Sequence, residues 1–306
     1  MDTIMILVRQ ILQMFILAGL GYWLFKAGKI TLEGSKTLGN ILIWLALPAV
    51  IINGFRVERT AEHMLGLLYS GLGAAVLLLM SILVSRFLFR DDPIAAFAGA
   101  FSNPGFFGVP LIIASAGEGA VFYVACFVAF LNIGQWTYGV SILNGQPVRK
   151  GLEPKKLIRA PFIIAIAIGL ILFFTQLPLP DVIGDCLVTV KNLNTPLAMF
   201  TVGVYLAQVN IGKMFRHVGL YVLAAVRLLL IPLLSLLLLT FLPNELHAMK
   251  TALLIASACP VGVNVAVYAQ LHGKDYPYAV ETVVISTILS LVSIPALYAL
   301  AEQIWR

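Results

Sequence analysis

Charge is what this chain has least of. Only 11% of its 306 residues are Asp, Glu, Lys or Arg, against 60% that are hydrophobic. A soluble domain carries about 25% charged residues, so there is too little polar surface here to coat a globule. Cysteine is scarce too. Cys126, Cys186 and Cys259 have neither disulfide nor metal spacing and read as small membrane-facing or packing residues. His63, His217, His247 and His272 fall near span ends or in loops, again without metal spacing. No nucleotide-binding P-loop is present. No nucleophile–base set is visible that would serve an enzyme acting on lipids. These absences argue against a metal site, a cofactor and an enzyme, and leave uphill work to an ion gradient or the substrate's own.

Apolar stretches long enough to cross a bilayer, about 20 residues, recur along the whole chain. Hydropathy places ten candidate spans near 4–25, 36–55, 64–88, 94–116, 119–142, 158–175, 184–208, 217–242, 246–270 and 278–303. The first is expected to be retained, because "MDTIMILVRQ" lacks a basic leader and no small-residue cleavage site follows. The loops are short except for "NGQPVRKGLEPKKLIR" at 144–159, which divides the spans into five and five.

The net charge of +6 is read as topology and not as nucleic-acid binding. Lys26, Lys29, Lys36, Arg86, Arg90, Arg149, Lys150, Lys155, Lys156, Arg159, Lys213, Arg216 and Lys274 share one face. Arg9, Arg56, Arg59, Lys191, Lys250 and Arg306 lie on the other. Positive residues accumulate in the cytoplasm, so the middle connection is expected to be cytosolic and both termini outside.

An odd number of spans per half requires the second half to sit upside down, the inverted-repeat plan of many secondary transporters. The expected units are 1–143, a basic linker 144–157, and 158–306. Weak internal symmetry supports this. "LPAVIING" around Pro48 in span 2 parallels "TPLAMFTVG" around Pro196 in span 7. "SNPGFFGVP" in span 4 parallels "SACPVGVNV" around Pro260 in span 9.

The span-4 and span-9 segments carry the chemistry. Proline lacks an N–H and clashes with the preceding turn, so each should break its helix in mid-membrane, where freed backbone groups are expensive. An interrupted helix offers unpaired amides at one half-helix N-terminus, which attract anions. Asn103 and Asn264 supply side-chain amides beside the breaks. Gly105, Gly108 and Gly262 let the two backbones approach. The competing reading is a pair of packing kinks whose asparagines cap freed groups.

Arg227 lies about 15 Å into span 8 at helical rise, and an intramembrane arginine is a functional candidate by default. It either touches substrate or braces carbonyls exposed by a neighbouring break. No carboxylate stands at matching depth, since Glu118 and Glu281 are near span ends and Asp181 and Asp185 in a loop. In span 5, "FLNIGQWTYG" offers Asn132, Gln135 and Trp136 as cavity lining or as interhelical glue, with Gln135 leaning towards glue.

These residues resemble the auxin efflux carrier family, the PIN-like transporters, within the bile-acid, arsenite and riboflavin transporter group. "NPGFFGVPL" resembles its span 4, "PLAMFTVGVYLA" its span 7, "VRLLLIP" its span 8 and "ACPVGVNVAVYAQ" its span 9. The resemblance implies an all-α fold of ten spans in two inverted five-helix repeats, with spans 4 and 9 broken and crossing at prolines. Spans 1, 2, 6 and 7 would form a scaffold, and spans 3–5 and 8–10 a transport domain. The implied activity is alternating-access transport of small organic anions, such as malate, malonate or auxin-like acids, across a cytoplasmic membrane. Carried over by motif, Asn103, Gly108 and Pro110 match span 4, Pro260 and Gly262 span 9, and Arg227 span 8.

Two departures stand out. Asn264 occupies a place where plant members often have a second proline, and the long regulatory loop is reduced to 144–159. Both weaken the case for indole-acetate. The expected substrate-binding set is Asn103, Pro104, Gly105, Asn132, Pro260, Gly262 and Asn264, with Gly108, Pro110 and Arg227 structural. The expected partners are a small organic anion, the lipid bilayer, a coupling ion (H+ or Na+) and a second copy in a homodimer. A sodium-coupled bile-acid-type symporter is the alternative, with a non-transporting receptor behind it.

Overall fold

The computed structural model describes residues 3–146 and 158–305. The basic residues Arg149, Lys150, Lys155 and Lys156, and most of the linker expected at 144–157, lie outside the described residues, as does Arg306. Regular structure among the described residues is helical, apart from one isolated antiparallel bridge between Ser102 and Val261.

In chain order the helices are α1 (Thr3–Lys26), α2 (Leu32–Gly54), α3 (Ala61–Leu88), α4 (Pro93–Ala100), α5 (Pro104–Ala116) and α6 (Glu118–Leu143). After the middle connection come α7 (Pro161–Thr175), α8 (Asp181–Lys191), α9 (Asn194–Gln208) and α10 (Val218–Thr240). The chain closes with α11 (His247–Ala258), α12 (Asn264–Leu271) and α13 (Tyr276–Ile304). Six of these, α1, α2, α3, α6, α10 and α13, are long and apolar enough to cross a membrane.

Beside a buried apolar core, many large aliphatic side chains turn outward. Along α3 the outward residues are Leu65, Leu68, Leu72, Val76, Leu79 and Leu83, while Gly66, Ser70, Ala74, Ser81 and Ser85 face inward. Lipid is as apolar as leucine, so large side chains gain nothing by turning in. Small and hydroxylated residues let helices pack closely and hydrogen-bond. The tightest packing joins α1 to α9. A Cβ on Gly21 would lie 2.5 Å from the Phe200 carbonyl oxygen, and one on Gly203 would strike the Ala18 carbonyl.

Four helices contain a widened π turn, at Leu42–Ala46, Pro104–Gly108, Gln135–Gly139 and Val226–Leu230. Three of them end two residues before a proline: Pro48, Pro110 and Pro232. A proline ring pushes away the carbonyl one turn back, and the wider turn absorbs the clash without ending the helix. The fourth, at Gln135, precedes no proline, and nothing else in the structure explains it.

Two expected boundaries shift. Span 2 starts at Leu32 and not near 36, because Thr31 caps the helix by accepting from the Gly34 amide at 3.0 Å. Span 7, expected unbroken over 184–208, is two helices, α8 and α9, hinged at 192–193. Pro196 cannot donate to the Asn192 carbonyl, and it sits in the first turn of α9, where a missing N–H does no harm.

Candidate functional site

Helix α4 stops at Ala100 and α5 starts at Pro104; α11 stops at Ala258 and α12 starts at Asn264. The two extended interruptions lie against each other. The Gly262 amide donates to the Phe101 carbonyl at 3.0 Å, beside the Ser102–Val261 bridge. Contact this close needs a bare backbone, since a Cβ on Gly262 would sit 2.8 Å from the Ser102 carbonyl oxygen. Gly108 meets the other strand too, where an added Cβ would lie 2.9 Å from Cys259 Sγ.

Each break leaves carbonyls at one end and amides at the other, and the protein treats the two ends differently. The carbonyl ends are occupied. Arg227, buried to 1% exposure, donates from Nη1 to the Gly99 carbonyl at 2.9 Å and to Ser81 Oγ at 3.1 Å. Its Nη2 donates to the Ser257 carbonyl. Ser81 Oγ donates to the Ala100 carbonyl at 2.9 Å. One guanidinium thus spans the C-terminal ends of α4 and α11, where a positive charge also meets the negative ends of both helix dipoles. The π turn Val226–Leu230 carries this arginine. Of the two sequence-level roles for Arg227, bracing is the one its contacts describe.

The amide ends stay open. The Gly105 and Phe106 amides donate to no acceptor among the described residues, and neither do those of Val263 and Asn264. Phe107 and Gly108 instead donate to the Asn103 carbonyl, both at 3.1 Å. The Asn103 side chain is buried to 6% exposure and has no hydrogen-bond partner among the described residues. The residues that carry these groups line one cavity of about 730 Å³. Of the expected binding residues, Asn103, Pro104, Gly105, Asn132, Gly262 and Asn264 line it, and Pro260 does not. Gly108, Pro110 and Arg227 lie outside its wall.

Further residues complete the wall. Asn264 Nδ2 donates to Gln135 Oε1 at 2.7 Å, tying α12 to the π turn of α6. Gln135 is therefore both interhelical glue and lining, and its own Nε2 has no partner. Asn132 spends its Nδ2 on the Val128 carbonyl of its own helix, at 2.7 Å. Ile43, Trp44 and Leu47 of α2 supply an apolar side, and Gln146, Arg159 and His272 stand at the end towards the middle connection.

Sequence reasoning assigned Arg159 to topology and placed His272 near a span end with no role. His272 Nδ1 pairs with Asn144 Nδ2 at 3.2 Å at this rim. Ser81 and Ser286 were missed outright. Ser286 Oγ accepts from the Val261 amide at 3.0 Å and so steadies the second break. Their signal is the inward stripe of hydroxylated residues, such as Ser81–Ser85 and Thr282–Ser286–Ser290. A separate hollow of about 450 Å³ is lined by Asp92, Asp275 and Glu281; its carboxylates suit no anion. No group of metal-ligating side chains occurs among the described residues.

What the arrangement offers is a set of unpaired N–H donors on lining residues that include no carboxylate. That is the chemistry of a carboxylate host. Comparison with known proteins points the same way. The family described as "Membrane transport protein" matches the chain twice, over residues 6–154 and again over 150–298. A protein of Rhizobium meliloti (strain 1021) described as a "Putative malonate transporter" is 26% identical over 309 residues, covering 96% of this chain and 95% of its own.

Proposed function

The chain belongs to the membrane transport protein family, that of the auxin efflux carriers, and from that premise we propose that its cargo is a small mono- or dicarboxylate, malonate among them. It is a multi-pass membrane transporter and not an enzyme. One observation carries the reading: at the crossing the carbonyls are taken by Arg227 and Ser81, while Gly105, Phe106, Val263 and Asn264, all lining the cavity, keep unpaired amides. Carbonyls would have held a cation. Amides at two helix N-termini, with the Asn103 side chain between them, hold an anion.

In this reading the carboxylate sits against Asn103 and the Gly105 and Phe106 amides, and α12 presents the second pair of amides to the other end of a dicarboxylate. Trp44 and Leu47 exclude water from the carbon chain. The architecture we propose is ten spans in two inverted repeats, 1–143 and 158–306, joined by a cytosolic linker, with both termini outside a cytoplasmic membrane. The doubled family match and the equivalent breaks in each half support it. Spans 1, 2, 6 and 7 form the scaffold, against which spans 3–5 and 8–10 move. The cavity reaches the end that carries the middle connection, which in the proposed topology is the cytosolic end and makes this state inward-facing. A substrate promotes the switch only through unequal affinity for the two states.

A thermal-shift screen of short carboxylates on purified protein tests the proposal, because a ligand of the native state raises its apparent stability. Malonate at 100 times its dissociation constant should stabilise by about 2.7 kcal/mol, whereas choline or a free amine should not. A screen in which amines stabilise and carboxylates do not removes the anion reading.

A further inference from the structure

A second set of contacts grips α5 from outside the cavity, and its interpretation rests on the transporter reading above. Pro110 has no N–H, and in the π turn Pro104–Gly108 that is the donor the Gly105 carbonyl would have used. Asn194, the first residue of α9, fills the gap by donating from Nδ2 to the Gly105 carbonyl at 3.0 Å. Three residues earlier, Lys191 donates from Nζ to Glu118 Oε2 at 2.9 Å. The lysine side chain is 8% exposed and the glutamate 64%.

Both donors come from the hinge between α8 and α9, and their acceptors bracket α5, one in its first turn and one just past its end. The Lys191–Glu118 contact lies far from the cavity mouth, whereas the Asn194–Gly105 contact grips the back of a lining residue at the crossing. Helix α6 runs from Glu118 to Leu143, 26 residues or about 39 Å at helical rise, and the rim residues Gln146, Arg159 and His272 stand at its far end.

We infer that Lys191 and Asn194 form a two-point clasp on α5, made while the cavity faces its present side and broken when it opens to the other. The two points differ in kind. The ion pair has a solvated partner, so it is a weak link that water can replace. The amide bond is dry: Asn194 is buried, its Oδ1 has no partner, and rupture leaves the Gly105 carbonyl unpaired as well. In the proposed architecture α9 belongs to the scaffold and α5 to the moving domain, so the clasp crosses the sliding surface. Asn194 is also a positioning residue: by holding the Gly105 carbonyl it orients the peptides whose amides stay unpaired beside the cavity.

The test uses the full chain in liposomes, with Cys126 and Cys186 replaced by alanine and Ala120→Cys as reporter. Ala120 is buried two residues from Glu118. Alkylation by a membrane-impermeant maleimide reads opening of the clasped end. Asn194→Ala and Asn194→Asp should each speed labelling about tenfold, the size of one lost buried hydrogen bond. Asp keeps the shape but offers an acceptor to a carbonyl, so a role in packing alone predicts the unmodified rate there. Lys191→Met should speed labelling about threefold, matching an ion pair with an exposed partner. It removes no buried hydrogen bond to the backbone and serves if the Asn194 variants do not fold.

In counterflow of labelled malonate, Asn194→Ala should also raise half-saturation about tenfold, which packing at the closed end would not move. Unchanged labelling in every folded variant overturns the clasp whatever transport does. Faster labelling in the variants, from a chain that exchanges no carboxylate, keeps the clasp and sinks the carboxylate cargo.

Discussion

Replacing Arg227 by leucine separates two opposed effects whose sizes follow from the structure. The change removes a fully buried guanidinium, whose desolvation costs several kcal/mol, and such replacements are neutral or stabilising when the whole ionic group is exchanged for apolar side chains. Here the partners are backbone carbonyls, which remain. The Ser257 carbonyl loses the arginine that donates to it, and the Gly99 carbonyl keeps only a long contact to Ser81 Oγ at 3.4 Å. An orphaned buried acceptor costs about 1–3 kcal/mol. Hydrogen bonds between membrane helices average less, about 0.6 kcal/mol, because the unfolded state finds other partners. That discount is small here, since neither break offers its carbonyls a new intrahelical donor.

The relief from desolvation trims a gross loss of about 2–6 kcal/mol to a net of about 1–4 kcal/mol. At about 2 °C per kcal/mol for a chain of this size, the melting temperature should fall by about 2–8 °C. Thermal unfolding followed by size-exclusion chromatography in detergent measures it. Arg227→Lys, which keeps the charge but reaches one carbonyl and not two, should fall between. Arg227→Leu melting at the wild-type temperature would refute the bracing argument.

Three other substitutions have defined outcomes. Asn103→Ala should abolish carboxylate uptake and leave the melting temperature within about 2 °C, because the side chain has no partner to lose; uptake assays beside melting curves decide, and wild-type uptake takes Asn103 out of the site. Gly262→Ala places a methyl 2.8 Å from the Ser102 carbonyl oxygen, and overpacking of this kind costs about 1–3 kcal/mol. It should lower both stability and uptake, and a variant that melts and transports normally shows the crossing to be loose. Gly203→Ala, which strikes the Ala18 carbonyl of α1, should destabilise by a similar amount without changing half-saturation in whatever folded protein remains.

Much of this was legible in the sequence, and what was not has identifiable reasons. The helices follow from long apolar runs, because in lipid only a helix satisfies its own backbone along its length. The two breaks follow from paired prolines and glycines around Asn103 and Pro260. The hinge at 192–193 went unseen because Pro196 looked like one more tolerated membrane proline, although "NLNTP" holds the turn-forming residues that a restart needs. The depth of Arg227 could be read from spacing, but which carbonyls it meets depends on how α4, α10 and α11 pack, and no local pattern records that. Asn194 was invisible for the same reason: its role comes from a donor that Pro110 lacks, 84 positions away. His272 and Arg159 carry no pattern at all and reach the cavity rim only through the fold.

The central claim is that unpaired amides at the crossing receive a carboxylate. Counterflow into liposomes preloaded with unlabelled malonate, with labelled malonate outside, tests it most directly. The account predicts transient accumulation of label that is saturable, competed by other short dicarboxylates and absent in Asn103→Ala. Label that equilibrates no faster than in empty liposomes, or accumulation that Asn103→Ala leaves intact, would contradict it.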